Sequence, residues 1–194
     1  AMALWGTVFG AIFGGIPTRK FGRKNTLIFI GFFYSISAIG SALANDPISF
    51  AFFRFLGGIG VGVSGIAAPA YISEIAPAKN RGRLVGLYQF NLVIGILIAF
   101  FSNYLLSGIG ENDWRYMMGV EAIPAIIYTL LVFSIPKSPR WLYLNNQEHL
   151  AEIIIKDAYS KDDADELISE ILKHKKSSVK SESIFQKKYS FILT

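Results

Sequence analysis

The stretch Pro47-Ile-Ser-Phe-Ala-Phe-Phe-Arg54-Phe-Leu-Gly57-Gly58-Ile-Gly60-Val-Gly62-Val-Ser-Gly65 decides what kind of protein this is. It continues through Pro69-Ala-Tyr-Ile-Ser-Glu74-Ile-Ala-Pro77, turns at Lys79-Asn-Arg81-Gly82-Arg83, and returns as Leu-Val-Gly-Leu-Tyr-Gln89. Two apolar runs, each about twenty residues long, therefore flank a short basic hairpin. That is the length an α-helix needs to cross a bilayer. One letter pattern inside the run misleads: Gly60-Val-Gly62-Val-Ser-Gly65 spells a dinucleotide-binding fingerprint. That fingerprint needs a preceding strand and a polar turn. Here it lies inside an apolar helix, where glycines serve close helix packing.

Outward from this stretch the pattern repeats. The mean hydropathy of the 194 residues is +0.41, and 52% of them are hydrophobic. Segments 1–18, 25–44, 48–72, 84–107 and 116–135 read as five membrane spans. They are expected to be helices, because backbone groups in lipid must satisfy one another within the segment. The fold class is thus all-α, a polytopic helix bundle over residues 1–142, followed by a polar helical segment at 143–194. Gly6, Gly10 and Gly14 recur at every fourth position, which lays a small-residue face along the first span. Span 25–44 shows no residue with an evident chemical role. The absence of cysteine excludes disulfides and thiolate chemistry, and two histidines in the polar tail make no metal site. No cofactor is expected.

The charges are sided. Arg19, Lys20, Arg23, Lys24, Lys79, Arg81, Arg83, Lys137 and Arg140 fall on one side of the spans, against Arg115 alone on the other. By the positive-inside rule the basic side is cytoplasmic. Splitting these charges among short hairpins beside spans argues against nucleic-acid binding. The segment at 1–18 is no signal peptide, since it lacks a leading charge and ends in a basic loop.

Some polar residues sit where they need a reason. Arg54, about two turns inside the outer end, either snorkels to the interface or lines a polar pathway with an acid partner. Glu121 is one candidate for that partner. Glu74 lies near two basic hairpins and forms either a surface pair or a buried latch. Gln89, roughly one turn above the basic loop, either bonds a neighbouring helix or recognises a polar solute. In the tail, Leu150, Ile153, Ile154 and Ala158, then Leu167, Ile168, Ile171 and Leu172, recur at helical spacing. Ser177–Ser183 reads as a linker, and Lys187 to Thr194 as the approach to a further span.

The ordered motifs resemble the sugar porter family of the major facilitator superfamily. Gly15 to Lys24 is similar to its signature loop, Arg54 with the following glycines to its fourth helix, and Pro69 to Pro77 with Arg81-Gly82 to its next signature. Gln89, Trp114-Arg115 and Pro136-Lys-Ser-Pro139-Arg140-Trp-Leu complete the series. The resemblance implies helices two to six of the N-terminal half, then the intracellular helical segment that leads toward a seventh span. The first helix and the C-terminal half of the chain would lie outside this sequence.

It further implies transport of a hexose or pentose across the plasma or bacterial inner membrane by alternating access, as symporter or uniporter. A polyol carrier of the same fold and a non-transporting sugar sensor are the alternatives; an enzyme is not expected. Gln89 and Ile96 match sugar-site positions, and Arg23, Glu74 and Arg81 the cytoplasmic gate network. Arg54 matches an arginine that in proton-coupled members neighbours an acid on the first helix. Partners would be the sugar, membrane lipid, the C-terminal half and, in a symporter, protons. Two positions depart from the pattern: Arg19 replaces an Asp and Lys137 a Glu.

Overall fold

A computed structural model describes residues 1–159, 163–165 and 167–173, and every described element is helical. The chain divides into two compact units, one formed by Ala1–Ala76 with Asn80–Ser138 and the other by Pro77–Lys79 with the chain from Pro139 onward.

The first unit contains α1 (Met2–Phe13), α2 (Gly15–Lys20), α3 (Arg23–Leu43), α4 (Pro47–Ile75), α5 (Arg81–Leu106), α6 (Asp113–Val120) and α7 (Ala122–Ser134). Among the described residues, four stretches are long and apolar enough to span a membrane: α3, α4, α5 and the run Asp113–Ser134. The first expected span is α1 and α2 in succession. Gly14 between them keeps right-handed helical backbone, and its N–H donates to the Gly10 carbonyl at 2.8 Å. α4 starts sharply because Asp46 caps it: Oδ1 accepts from the Ile48 and Ser49 N–H groups, both at 2.9 Å, and Pro47 needs no partner there. The Ser49 hydroxyl also donates to Asp46, which holds the carboxyl below the usual aspartate range. α4 then runs unbroken through Pro69. The last span is interrupted at Glu121, where Pro124 has no N–H to give the Val120 carbonyl four residues back.

Packing in this unit rests on glycine. A Cβ on Gly6 would meet the Phe55 carbonyl and Gly58 Cα, and one on Gly10 would meet the Ile59 carbonyl and Gly62 Cα. From the other side, a Cβ on Gly58 would meet Ala3, and one on Gly62 the backbone of Thr7 and Ala11. The two helices therefore touch backbone to backbone, the arrangement that replaces the hydrophobic drive in lipid. The fingerprint-like glycines lie mid-helix in α4: Gly60 packs on the Tyr34 ring and Gly62 on α1, as expected of packing residues, whereas a Cβ on Gly65 would meet nothing within 4 Å. α3 joins the pair through Leu27 and Ile30, which are buried with Val63, Ala67, Tyr71 and Val132. α5, though 26 residues long, has no buried residue.

The second unit has α8 (Pro139–Leu144), α9 (Glu148–Ala158) and helical residues at 163–165 and 167–173. Leu142, Tyr143, Ala151, Ile155, Ala164, Leu167 and Ile171 form its core. This corrects the expected face of α9. Ala151 and Ile155 are buried, whereas Leu150 and Ile153 are half exposed, so the inward stripe lies one residue further along. Small Ala151 lets the helix close on Leu142 and Tyr143, a contact the apolar spacing alone does not disclose. Burial raises the Tyr143 phenol above its usual range. His174, the expected linker Ser177–Ser183 and the stretch 187–194 lie outside the described residues.

Candidate functional site

Three polar features of the first unit interrupt its apolar helices. At the basic end, α4 finishes one residue after Glu74, whose side chain is only 6% exposed. Arg23, the first residue of α3, places Nη2 at 2.7 Å from Glu74 Oε1, while the Ser138 hydroxyl donates to Oε2 at 2.6 Å. Arg23 also donates from Nη1 to the Thr18 carbonyl at 3.1 Å, in the last turn of α2. One carboxylate thereby ties the ends of α2 and α4, the start of α3 and the segment after α7. Gly22 makes this approach possible: its φ of 85° reverses the chain between α2 and α3, a conformation costly for any residue with a Cβ. Tyr71 adds a bond from its hydroxyl to the Pro136 carbonyl at 2.9 Å, and Lys24 one to the Phe133 carbonyl at 2.9 Å. Of the two readings of Glu74, a surface pair or a buried latch, the geometry has the features of the second. Arg81 stands half-buried at the first position of α5.

Higher in the bundle, Arg54 Nη2 lies 3.1 Å from Glu121 Oε2 and beside the Met118 sulfur, while Arg54 Cζ stands 6.0 Å from the Phe50 ring centroid. Of the two acids expected for Arg54, Glu121 or one on a first helix outside this sequence, Glu121 lies in contact with it, presented at the helix interruption that Pro124 causes. Arg54 Nε is buried without an acceptor. Both residues line a cavity of about 610 Å³, with Tyr34, Tyr88, Asn91 and Tyr128 among its walls. Tyr34 donates to Ser64 at 2.9 Å and meets the Tyr128 ring edge-on at 6.1 Å. Span 25–44 is therefore not chemically silent, as the sequence suggested. A tyrosine inside an apolar run was the available signal, because its hydroxyl needs a partner when buried.

On α5, Tyr88, Asn91, Leu92 and Gly95 form the wall of this cavity, whereas Gln89 and Ile96 do not. Both lie on the adjoining open face, Gln89 exposed and Ile96 48% exposed. Because α5 begins at Arg81, Gln89 is more than two turns above the basic end, deeper than its apolar span implied. At the opposite end, Arg115 donates to the Ala42 carbonyl at 2.9 Å and to Asn45 Oδ1 at 3.2 Å, with Trp114 stacked at 4.7 Å. The lone base on that side is consumed in capping α3.

The family description "Sugar (and other) transporter" matches residues 1–192, nearly the whole chain. The chain belongs to this family. Its members are transporters rather than enzymes, and this chain is a multi-pass membrane protein with its basic loops cytoplasmic. The D-xylose-proton symporter of Escherichia coli (strain K12) is 34% identical over 195 residues, covering 88% of this chain and 40% of that protein. Probable inositol transporter 2 of Arabidopsis thaliana is 36% identical over 168 residues, covering 87% of this chain and 29% of that protein. A solved structure of the E. coli xylose transporter XylE, in a partially occluded inward-open conformation, superimposes with a TM-score of 0.84. It is 32% identical, and the match covers 93% of this chain and 48% of that one. The fold is thus that of the major facilitator transporters, and the chain spans about two fifths of the length of its xylose-carrying relative.

Proposed function

We propose that the protein carries a monosaccharide, a hexose or a pentose, across the membrane by alternating access. Gln89 and Ile96 contribute to the sugar site on the open face of α5. The observation that carries this reading is Gln89 itself: an exposed, uncharged amide about two turns into an apolar helix with no buried residue. An amide donates and accepts at once, as sugar hydroxyls do, and a face left open within the unit suits a site completed by the carrier's other half. A polyol is the second reading, favoured by the inositol transporter among the relatives.

Glu74, Arg23 and Arg81 act in this proposal as the inner gate. Arg54, paired with Glu121 beside a cavity, is the group through which proton coupling would act, and the similarity to a protein named a proton symporter supports it. In the full protein carrying this chain, Gln89→Ala should raise the apparent KM for the transported sugar roughly thirtyfold. That corresponds to losing about 2 kcal/mol of hydrogen bonding to a desolvated ligand. Concentration-dependent uptake into cells with equal surface expression measures it. An unchanged KM for pentose, hexose and inositol would remove Gln89 from the site.

A further inference from the structure

A second cavity, of about 600 Å³, opens between α1, α2, α3 and α4 and plays no part in the proposed transport site. Its walls include the rings of Phe9, Phe13, Phe21, Phe29, Phe33 and Phe55. The rings support one another: Phe9 meets Phe55 edge-on at 6.0 Å and stacks on Phe13 at 6.4 Å, and Phe21 meets Phe29 at 6.3 Å. The groove is therefore a formed aromatic trough. Its floor is smooth because Gly10 and Gly14 add no side chain. The one hydroxyl in its lining, on Thr26, is already spent on the Gly22 carbonyl at 2.9 Å, so the trough offers a ligand no hydrogen bond.

Its dimensions and its mouth name the occupant. From Phe9 to Phe21 the trough follows about 18 Å of helix at 1.5 Å per residue. One leaflet of a bilayer's hydrocarbon core is about 15 Å deep. The lower end opens at Phe21, and the Lys20 ammonium lies over that ring, 5.7 Å from its centroid. The turn 19–24 carries Arg19, Lys20, Arg23 and Lys24 and no acid, since Arg19 stands where the family signature has Asp. Arg23 is engaged by Glu74 and Lys24 by the Phe133 carbonyl, while Lys20 is exposed. A purely apolar channel one leaflet long, ending at an exposed ammonium on the cytoplasmic side, matches one molecule in shape and charge.

We propose that this trough binds an anionic phospholipid of the inner leaflet, one acyl chain lying along the phenylalanines and the phosphate meeting Lys20. The test places the full protein in phosphatidylcholine nanodiscs with a reporter indole at the trough (Phe29→Trp). That position is 55% exposed, so one exposed ring replaces another. Phosphatidylglycerol or phosphatidylcholine with brominated acyl chains is titrated in, and quenching is corrected for the parent protein's own tryptophans. Brominated phosphatidylglycerol should quench at lower mole fraction, and Lys20→Gln should weaken that preference about fivefold, the usual effect of one basic side chain at a membrane surface. Equal quenching by the two lipids would overturn the anionic assignment. No quenching by either would mean that protein fills the trough, and would overturn the proposal altogether. Phe13→Trp, also 55% exposed, gives an independent reporter should the first variant fold poorly.

Discussion

Gly62→Ala should destabilise the folded carrier by about 3 kcal/mol, whereas Gly65→Ala, in the same helix, should be neutral or slightly stabilising. The difference lies in what a new methyl group meets. At Gly62 it would strike the Thr7 carbonyl and sit 2.6 Å from the Ala11 nitrogen and 2.8 Å from the Gly10 carbonyl carbon. These are backbone atoms of α1, which cannot rotate aside, so the helices must separate along their contact. At Gly65 nothing lies within 4 Å. There alanine brings only its higher helix propensity, about 1 kcal/mol over glycine. Thermal unfolding midpoints of the two purified variants measure this contrast. Equal midpoints would show that α1 and α4 are not held together by backbone contact.

Glu74→Gln should release the cytoplasmic latch. Breaking a buried ion pair by removing one charge costs about 3–5 kcal/mol, because the partner stays buried and uncompensated. Here Arg23 would keep its bond to the Thr18 carbonyl but lose its counter-charge at 2.7 Å. If this cluster holds the inner gate closed, the loss falls on the outward-facing state, and the carrier shifts toward inward-open. A single reporter cysteine on each face, in a full protein otherwise free of reactive thiols, reads the shift. Labelling should rise on the cytoplasmic side and fall on the other. Unaltered labelling on both faces would restrict Glu74 to a static structural role.

The helices and their sidedness were legible because lipid leaves few alternatives: apolar length sets a span, and the basic residues at 19–24, 79–83 and 137–140 orient it. The glycine row was legible for the same reason. Pair partners were legible only as candidates, Glu121 for Arg54 and the basic hairpins for Glu74. Arg54 is separated from Glu121 by 67 residues, and only the helix interruption before Pro124 turns that acid toward it. Ser138, the second ligand of the Glu74 carboxylate, sits in a Pro-Lys-Ser-Pro stretch whose motif gave the serine no partner. Tyr34 was overlooked because its helix is apolar around it, yet its bond to Ser64 joins two spans. In α9 the spacing of large apolar residues hid the inward role of Ala151, whose value is its small size. Periodicity reports which elements form; it carries little about contacts fixed by a backbone bend or by a small residue.

In the proposed function this chain belongs to a carrier that exchanges a sugar across the membrane. Counterflow measures that directly. Proteoliposomes holding the full protein are loaded with unlabelled sugar and diluted into a trace of the labelled form. With D-xylose, glucose or inositol tried in turn, at least one should show transient accumulation of label above equilibrium, since a reorienting site exchanges its cargo. A flat time course for all three, from protein that remains folded in the vesicles, would contradict the account.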